Sequence, residues 1–201
     1  YYTDGISETC TRTDASILQA RKDIDHQEKR NQIHFDEHQF IYRSSICKLS
    51  EQIQKAILVS PVPLPIRGRS GQLATSEIWR GLFLHDDRIF YTKMEEEQPS
   101  FSVDLVLDAS ASCMDYQETL AAQSYVIAQS LQKCRIPVQV TSFSSLRSYT
   151  VIHRFIRYNE TDKNTNLFRY FAAGWNRDGL ALRAIHQLLE EKPAAPNRIA
   201  I

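Results

Sequence analysis

The stretch Phe101-Ser-Val-Asp-Leu-Val-Leu-Asp108-Ala-Ser-Ala-Ser112 decides the fold of this chain. Residues Phe101 to Leu107 form a short, nearly continuous apolar run, the signature of a strand buried on both faces. The run ends in one carboxylate and two hydroxyls at alternating positions: Asp108, Ser110 and Ser112. If the chain bends there, all three face one point. They are hard oxygen donors carrying a single charge, a set that suits Mg²⁺ or Mn²⁺. An ion held by so little negative charge stays partly unneutralised, so an external carboxylate can complete its shell.

Downstream, a helix opens at Asp115 or Tyr116 and runs to about Lys133, with Leu120, Ser124, Ile127 and Leu131 on one stripe. Pro137 to Phe143 and Tyr149 to Ile156 read as strands, and Asn166 to Phe171 as a short helix. A further helix spans Gly179 to Glu190, Pro193-Ala-Ala-Pro196 breaks it, and Arg198 to Ile201 begins another strand. Strands alternating with helices through short links predict an α/β fold, Rossmann-like, with a mostly parallel central sheet and flanking helices. Ligands of such sheets gather at the carboxyl ends of the strands, where Asp108 stands. Arg198-Ile-Ala-Ile201 resembles the start of a buried strand, and the chain is expected to continue past it.

Upstream, Glu95-Glu-Glu-Gln-Pro99 is a solvated linker and marks a domain boundary. Residues 1–60 form a helical N-terminal segment, residues 61–98 a connector containing Pro, Gly and Arg, and residues 99–201 the α/β domain. In the first segment Asp14 caps a polar helix through Leu18, Ala20 and Ile24, whose thin apolar face predicts an exposed or partner-packed helix. From about Ile33 to Leu58 the periodicity improves, with Ile46, Leu49, Ile53 and Ile57 on one face. In the connector, Ser60-Pro-Val-Pro-Leu-Pro65 runs extended, Thr75 to Leu84 forms a short helix, and Arg88 to Lys93 is extended.

The composition narrows the function classes. With Lys plus Arg at 24 and Asp plus Glu at 24, the net charge is zero, which disfavours a bulk electrostatic grip on nucleic acid. Arg147, Arg154, Arg157 and Arg169 read as scattered surface arginines rather than a basic patch. No apolar run reaches the length of a membrane span, so neither membrane insertion nor a nucleic-acid partner is expected. The cysteines Cys10, Cys47, Cys113 and Cys134 form no CxxC pair and read as reduced thiols of a cytoplasmic protein. Cys113, beside the Asp108 loop, is expected to be an inert buried thiol.

The Asp-x-Ser-x-Ser string of Asp108, Ser110 and Ser112 resembles the metal-ion-dependent adhesion site of the von Willebrand factor A fold. The resemblance is nearest to the nitric oxide reductase activation proteins and the related cobaltochelatase subunit. It is strengthened by Gly174-Trp-Asn-Arg-Asp-Gly179, which is similar to the subgroup's Asn-x-Asp-Gly loop, and by the helical and Pro/Gly/Arg segments ahead of the domain. It covers the second half of the chain well and residues 46–98 loosely. It implies Asp178 as the second-loop metal ligand, where other branches place a Thr, with Asn176 as a secondary candidate. Ala111 stands where the signature often has Gly, and Cys113 precedes Met114 where many relatives place Met directly. The family's third metal loop would lie just beyond Ile201. The implied function is that of an adaptor, not a catalyst. A MoxR-type AAA+ ATPase and its target enzyme are the partners, and a bound Mg²⁺ or Mn²⁺ grips an acidic side chain of the partner. Trp175 is expected to pack beneath the second loop; exposed, it would join Met114 as a docking anchor.

One other motif competes. His34-Phe-Asp-Glu-His38 has the inverted zincin order, with His34 and His38 one helical turn apart and Glu37 placed as a base. That would make the chain a zinc metallohydrolase, but the polar flanks and the lack of a third ligand favour a solvated helix face. A structural scaffold that binds no metal is the remaining alternative. The Gly-x-Ser-x-Gly elbow and the P-loop are both absent from the sequence.

Overall fold

The computed structural model describes residues 2–3, 15–58, 66–92, 101–146, 149–158, 160–191 and 197–201. The chain divides into two compact units, Tyr1–Gln54 with Ser100–Ile201, and Lys55–Pro99. Cys10, Asp14, the Ser60–Pro65 stretch, the Glu95–Pro99 linker, Arg147 and Pro193–Pro196 lie outside the described residues.

The first unit is an α/β structure around a five-stranded sheet. It opens with β1 (Tyr2–Thr3), α1 (Ala15–Glu37) and α2 (Gln39–Leu58), the last running into the other unit. The second unit contains β2 (Ile66–Gly68), β3 (Gln72–Leu73), α3 (Ile78–Leu84) and β4 (Phe90–Thr92), with a 3₁₀ turn at Thr75–Glu77 ahead of α3. Its three strands form an antiparallel sheet in the order β2-β4-β3.

The first unit resumes with β5 (Phe101–Asp108), α4 (Gln117–Lys133), β6 (Val138–Leu146), β7 (Tyr149–Ile156), α5 (Asp178–Glu191) and β8 (Asn197–Ala200). The strand order is β1-β7-β6-β5-β8, and all pairings are parallel except the β6–β7 hairpin. Val103 pairs with Val138 on one side of β5 and with Ile199 on the other, so β5 lies inside the sheet. That position explains its apolar run, because Val103 and Leu105 are 2% and 5% exposed.

The chain leaves β5 through α4 to β6, then returns from β7 through α5 to β8 on the opposite side of β5. The order of strands therefore reverses at β5. Open sheets of this kind bind ligands in the crevice beyond the carboxyl ends at such a reversal.

Helix α5 packs on the sheet by Ala181, Ala184, Ile185 and Leu188 against Val106, Phe143 and Ile152. Helix α4 contacts β6, and its buried side chains are mostly small: Ala121, Ala122, Ser124, Ala128 and Ser130, with Val126 and Leu131. The stripe read from sequence is thus displaced, with Leu120 and Ile127 only half-buried. Small residues there admit close packing of α1 and of a 3₁₀ turn at Asn164–Arg169, which replaces the helix expected over Asn166 to Phe171.

Helix α1 buries Gln27, Asn31 and Phe35, which recur every fourth residue. This is a mostly polar stripe, which is why its apolar face looks thin. On α2, Ile46 is buried and Leu49, Ile53 and Ile57 are half-buried. Among the described residues, no helix is long and apolar enough to cross a membrane.

Candidate functional site

The Asp108 loop begins where β5 ends. The Asp108 carboxylate accepts the Ser110 backbone N–H at 2.8 Å through Oδ1, and its Oδ2 lies 3.1 Å from Ser110 Oγ. Ser110 Oγ is in turn 2.9 Å from Ser112 Oγ. The bend expected after the strand therefore brings the three predicted donors together. Ser110 is 2% exposed, Asp108 is half-buried and Ser112 is exposed, so the cluster opens outward at Ser112. A 3₁₀ turn over Ala111–Tyr116 then leads into α4.

These separations suit a metal. Adjacent ligands of an octahedral ion with Mg²⁺–oxygen distances near 2.1 Å stand about 3.0 Å apart. A divalent cation could replace the hydroxyl hydrogen bonds with little movement of the oxygens, provided the hydroxyl protons turn away. Among the described residues, no three His, Cys, Asp or Glu side chains come together where they could share a metal ion. At the Asp108 loop, two of the three clustered donors are hydroxyls.

Backbone pairing brings the second loop against the first. The Ala173 N–H donates to the Ala109 carbonyl at 2.9 Å, and the Ala111 N–H donates to the Gly174 carbonyl at 3.0 Å. Trp175 and Ser145 exchange both backbone bonds, at 2.7 and 2.9 Å, fixing the loop to the end of β6. Gly174 makes this approach possible. Its φ is +83°, and a Cβ at that position would lie 2.4 Å from the Ser145 carbonyl oxygen.

Asn176 and Asp178 follow immediately, both exposed. Asp178 is the first residue of α5, a position where a carboxylate also favours the helix N-terminus electrostatically.

Trp175 corrects one expectation. It is 77% exposed rather than packed beneath the loop, because the backbone bridge to Ser145 holds the loop without needing its side chain. Met114, at 47% exposure, also faces solvent, and so does Tyr116 at 65%. Cys113 is half-buried rather than buried.

No protein-family model, curated protein or solved structure matches the chain. What the site can do therefore follows from its own donors and their supports.

Two supports were not singled out from the sequence. The Tyr170 hydroxyl donates to the Asp108 carbonyl, and Tyr170 is fully buried. Its phenol is pushed well above the ordinary range, chiefly by burial and further by the neighbouring Cys113 and Asp108. Gln117 at the start of α4 accepts the Ala172 N–H at 2.7 Å and donates to the Met114 carbonyl at 3.1 Å. Only the aromatic-rich Phe168-Arg-Tyr170-Phe-Ala-Ala-Gly174 run hinted that this segment is inside.

The histidine motif takes a different form. Helix α1 ends at Glu37, and His38 occupies the turn before α2. His34 Nε2 is 3.1 Å from the Tyr42 hydroxyl, while His38 Nδ1–H donates to the His34 carbonyl at 3.0 Å. The pair thus serves the helix junction. Of the arginines, Arg169 pairs with Glu28 at 3.3 Å, and Arg154 sits 4.8 Å over the Tyr2 ring.

Proposed function

We propose that this chain is a metal-dependent docking module built on a von Willebrand factor A-type domain. It holds Mg²⁺ or Mn²⁺ through Asp108, Ser110 and Ser112, with Asp178 as second-loop ligand and Asn176 as its lesser alternative. The observation that carries this reading is the convergence of one carboxylate and two hydroxyls where the strand order reverses, with Ser110 Oγ 3.1 Å from the Asp108 carboxylate and 2.9 Å from Ser112 Oγ. The ion is left short of negative charge, so an acidic side chain of a partner completes its shell, with Trp175 and Met114 exposed to meet the same partner. No nucleophile or general base is required, and the serines act as ligands. The partner in this reading is a MoxR-type AAA+ ATPase in the cytoplasm, and the target enzyme is activated, or loaded with metal, by that ATPase.

A calorimetric titration with Mg²⁺ and with Mn²⁺ tests the site. One equivalent should bind to the chain and none to Asp108→Ala, with unchanged circular dichroism. Asp178→Ala should weaken binding more than Asn176→Ala. Equal binding by the chain and Asp108→Ala, or none by either, would overturn the metal reading and leave the structural scaffold. Capture of the ATPase that is indifferent to EDTA would overturn the docking step.

A further inference from the structure

We propose that α1 is part of the divalent-cation site, acting through Asn31 and Tyr170 as positioning residues. This rests on the metal reading of the Asp108 loop. Asn31 is wholly buried, 137 residues in sequence from the segment it holds. Its Nδ2 donates to the Phe168 carbonyl at 2.7 Å and to the Tyr170 carbonyl at 2.9 Å, and its Oδ1 accepts from Gln27 Nε2 at 2.9 Å. Every polar atom of the side chain is therefore engaged, in a place where an unmet carbonyl is costly.

The segment that Asn31 holds leads directly to both metal loops. The Tyr170 hydroxyl bonds the Asp108 carbonyl, Ala173 bonds Ala109, and Gly174 bonds Ala111. The Asp108 loop thus leans on residues 170–174, and residues 168–170 lean on α1. Phe35, one turn beyond Asn31, packs its ring 5.2 Å from Phe168 and 4.7 Å from Tyr125 of α4, closing the same joint with apolar contact.

Positions of metal ligands are commonly set by groups that touch the ligands rather than the ion, and losing such a group costs about tenfold to a hundredfold in metal affinity. Tyr170 stands in that relation to Asp108, and Asn31 acts one step further back, by holding the Phe168 and Tyr170 carbonyls. An event that lifts α1 would accordingly release the site, and occupancy of the site would hold α1 down, because coupling between two binding equilibria is reciprocal.

The experiment compares the chain with Asn31→Ala, Tyr170→Phe, their double variant, and Leu131→Ala. Leu131 is buried on α4 and makes no bond in this chain of contacts, so its variant reports general loss of stability alone. Mn²⁺ affinity is read by electron paramagnetic resonance, and backbone protection by hydrogen exchange without metal. Asn31→Ala and Tyr170→Phe should each weaken Mn²⁺ about tenfold or more, and the double variant little further, since both act through one connection.

Asn31→Ala should also speed exchange at the Ala109, Ala111 and Ala173 amides beyond any general increase, whereas Leu131→Ala should leave Mn²⁺ affinity unchanged and raise exchange only evenly across the first unit. Unchanged protection of Ala109 and Ala111 in Asn31→Ala would overturn the proposal, as would equal weakening in Leu131→Ala. If the unaltered chain takes up no Mn²⁺, the metal reading fails, and the exchange data still decide whether α1 positions the loops.

Discussion

The Asp108 loop and the junction of α1 with α2 both set ligand-type side chains a few residues apart, yet the fold treats them differently. At the loop, Asp108, Ser110 and Ser112 follow a strand paired on both sides; the Tyr170 hydroxyl bonds the Asp108 carbonyl, and the backbone of residues 173–175 is bonded to Ala109, Ala111 and Ser145. The side chains of the three donors bond mainly to one another, so they can be given to an ion together. At the junction, His34 and His38 have rings 4.7 Å apart, and one nitrogen of each is engaged, His34 Nε2 with Tyr42 and His38 Nδ1 with the His34 carbonyl. Donor spacing alone did not separate the two cases. The two differ in the burial and pairing of the backbone that carries the donors.

The strongest way to break the comparison is to remove the anchoring of the loop without touching a donor. Gly174→Ala puts a Cβ 2.4 Å from the Ser145 carbonyl oxygen, at a φ of +83°. Both atoms are backbone-borne, so no side chain can swing aside. The expected cost is about 3 kcal/mol or more, combining steric overlap with left-handed strain. Thermal unfolding should show the loss, and Mn²⁺ binding should fall with it as the Trp175–Ser145 bridge opens. A variant as stable as the parent would mean the second loop is not held where its backbone bonds put it.

How much of this could be read beforehand follows the same division. The run Phe101–Leu107 announced β5 because a strand covered on both faces is largely apolar, here with Ser102 and Asp104 as exceptions, and Asp108 with its serines could be placed at its end from chain order alone. The α/β class followed from the alternation of elements. The docking of α1 was not readable. Its contact stripe is Gln27, Asn31 and Phe35, and buried amides leave no trace in hydrophobic periodicity; Asn31 meets carbonyls more than a hundred residues away, and Gln27 meets Asn31 and Glu118. The burial of Tyr170 and the shift of the α4 face toward alanine and serine were hidden for the same reason. Trp175 misled in the opposite direction, since a large aromatic is usually inside, whereas here the backbone holds the loop.

A second test works on the strand that delivers the loop. Asp104 lies in the middle of β5 and is 2% exposed, with the Tyr158 hydroxyl donating to its Oδ1. Burial raises its carboxyl above the ordinary range, although the Tyr158 bond and the Arg198 charge act the other way. With the folded state holding the proton more tightly than the unfolded one, this group favours folding below the unfolded value near 3.9 and loses that contribution as pH rises through the folded value. Asp104→Asn keeps an acceptor for Tyr158 and does not titrate. The parent should therefore lose stability relative to the variant as pH rises above about 4, at no more than about 1.4 kcal/mol per pH unit for one group. Parallel stability curves from pH 4 to 7 would show that β5 tolerates its carboxylate without cost, and that its rigidity owes nothing to this site.

The smallest effect is expected at the junction, where the comparison is sharpest. His38 is exposed and gives one hydrogen bond to the His34 carbonyl; His34 is half-buried and meets Tyr42. Removing the imidazole of His38 should change stability by less than about 0.5 kcal/mol, as for most surface positions. Burial pushes the Glu118 carboxyl up, but a backbone bond, the Gln27 bond, Arg30 and, least of all, His34 bring it below the ordinary range, so losing His34 should be felt only slightly more, chiefly through its contact with Tyr42. For zinc, two imidazoles without a third converging ligand make a weak site, since structural and catalytic zinc both draw on at least three protein ligands. The His34→Ala/His38→Ala variant should therefore keep its fold and its Mn²⁺ affinity, and neither it nor the parent should retain zinc through dialysis. Stoichiometric zinc in the parent that disappears in the variant would reverse the ranking of the two regions. The helix junction would then be the metal centre, and the Asp108 loop a capping turn at the head of α4.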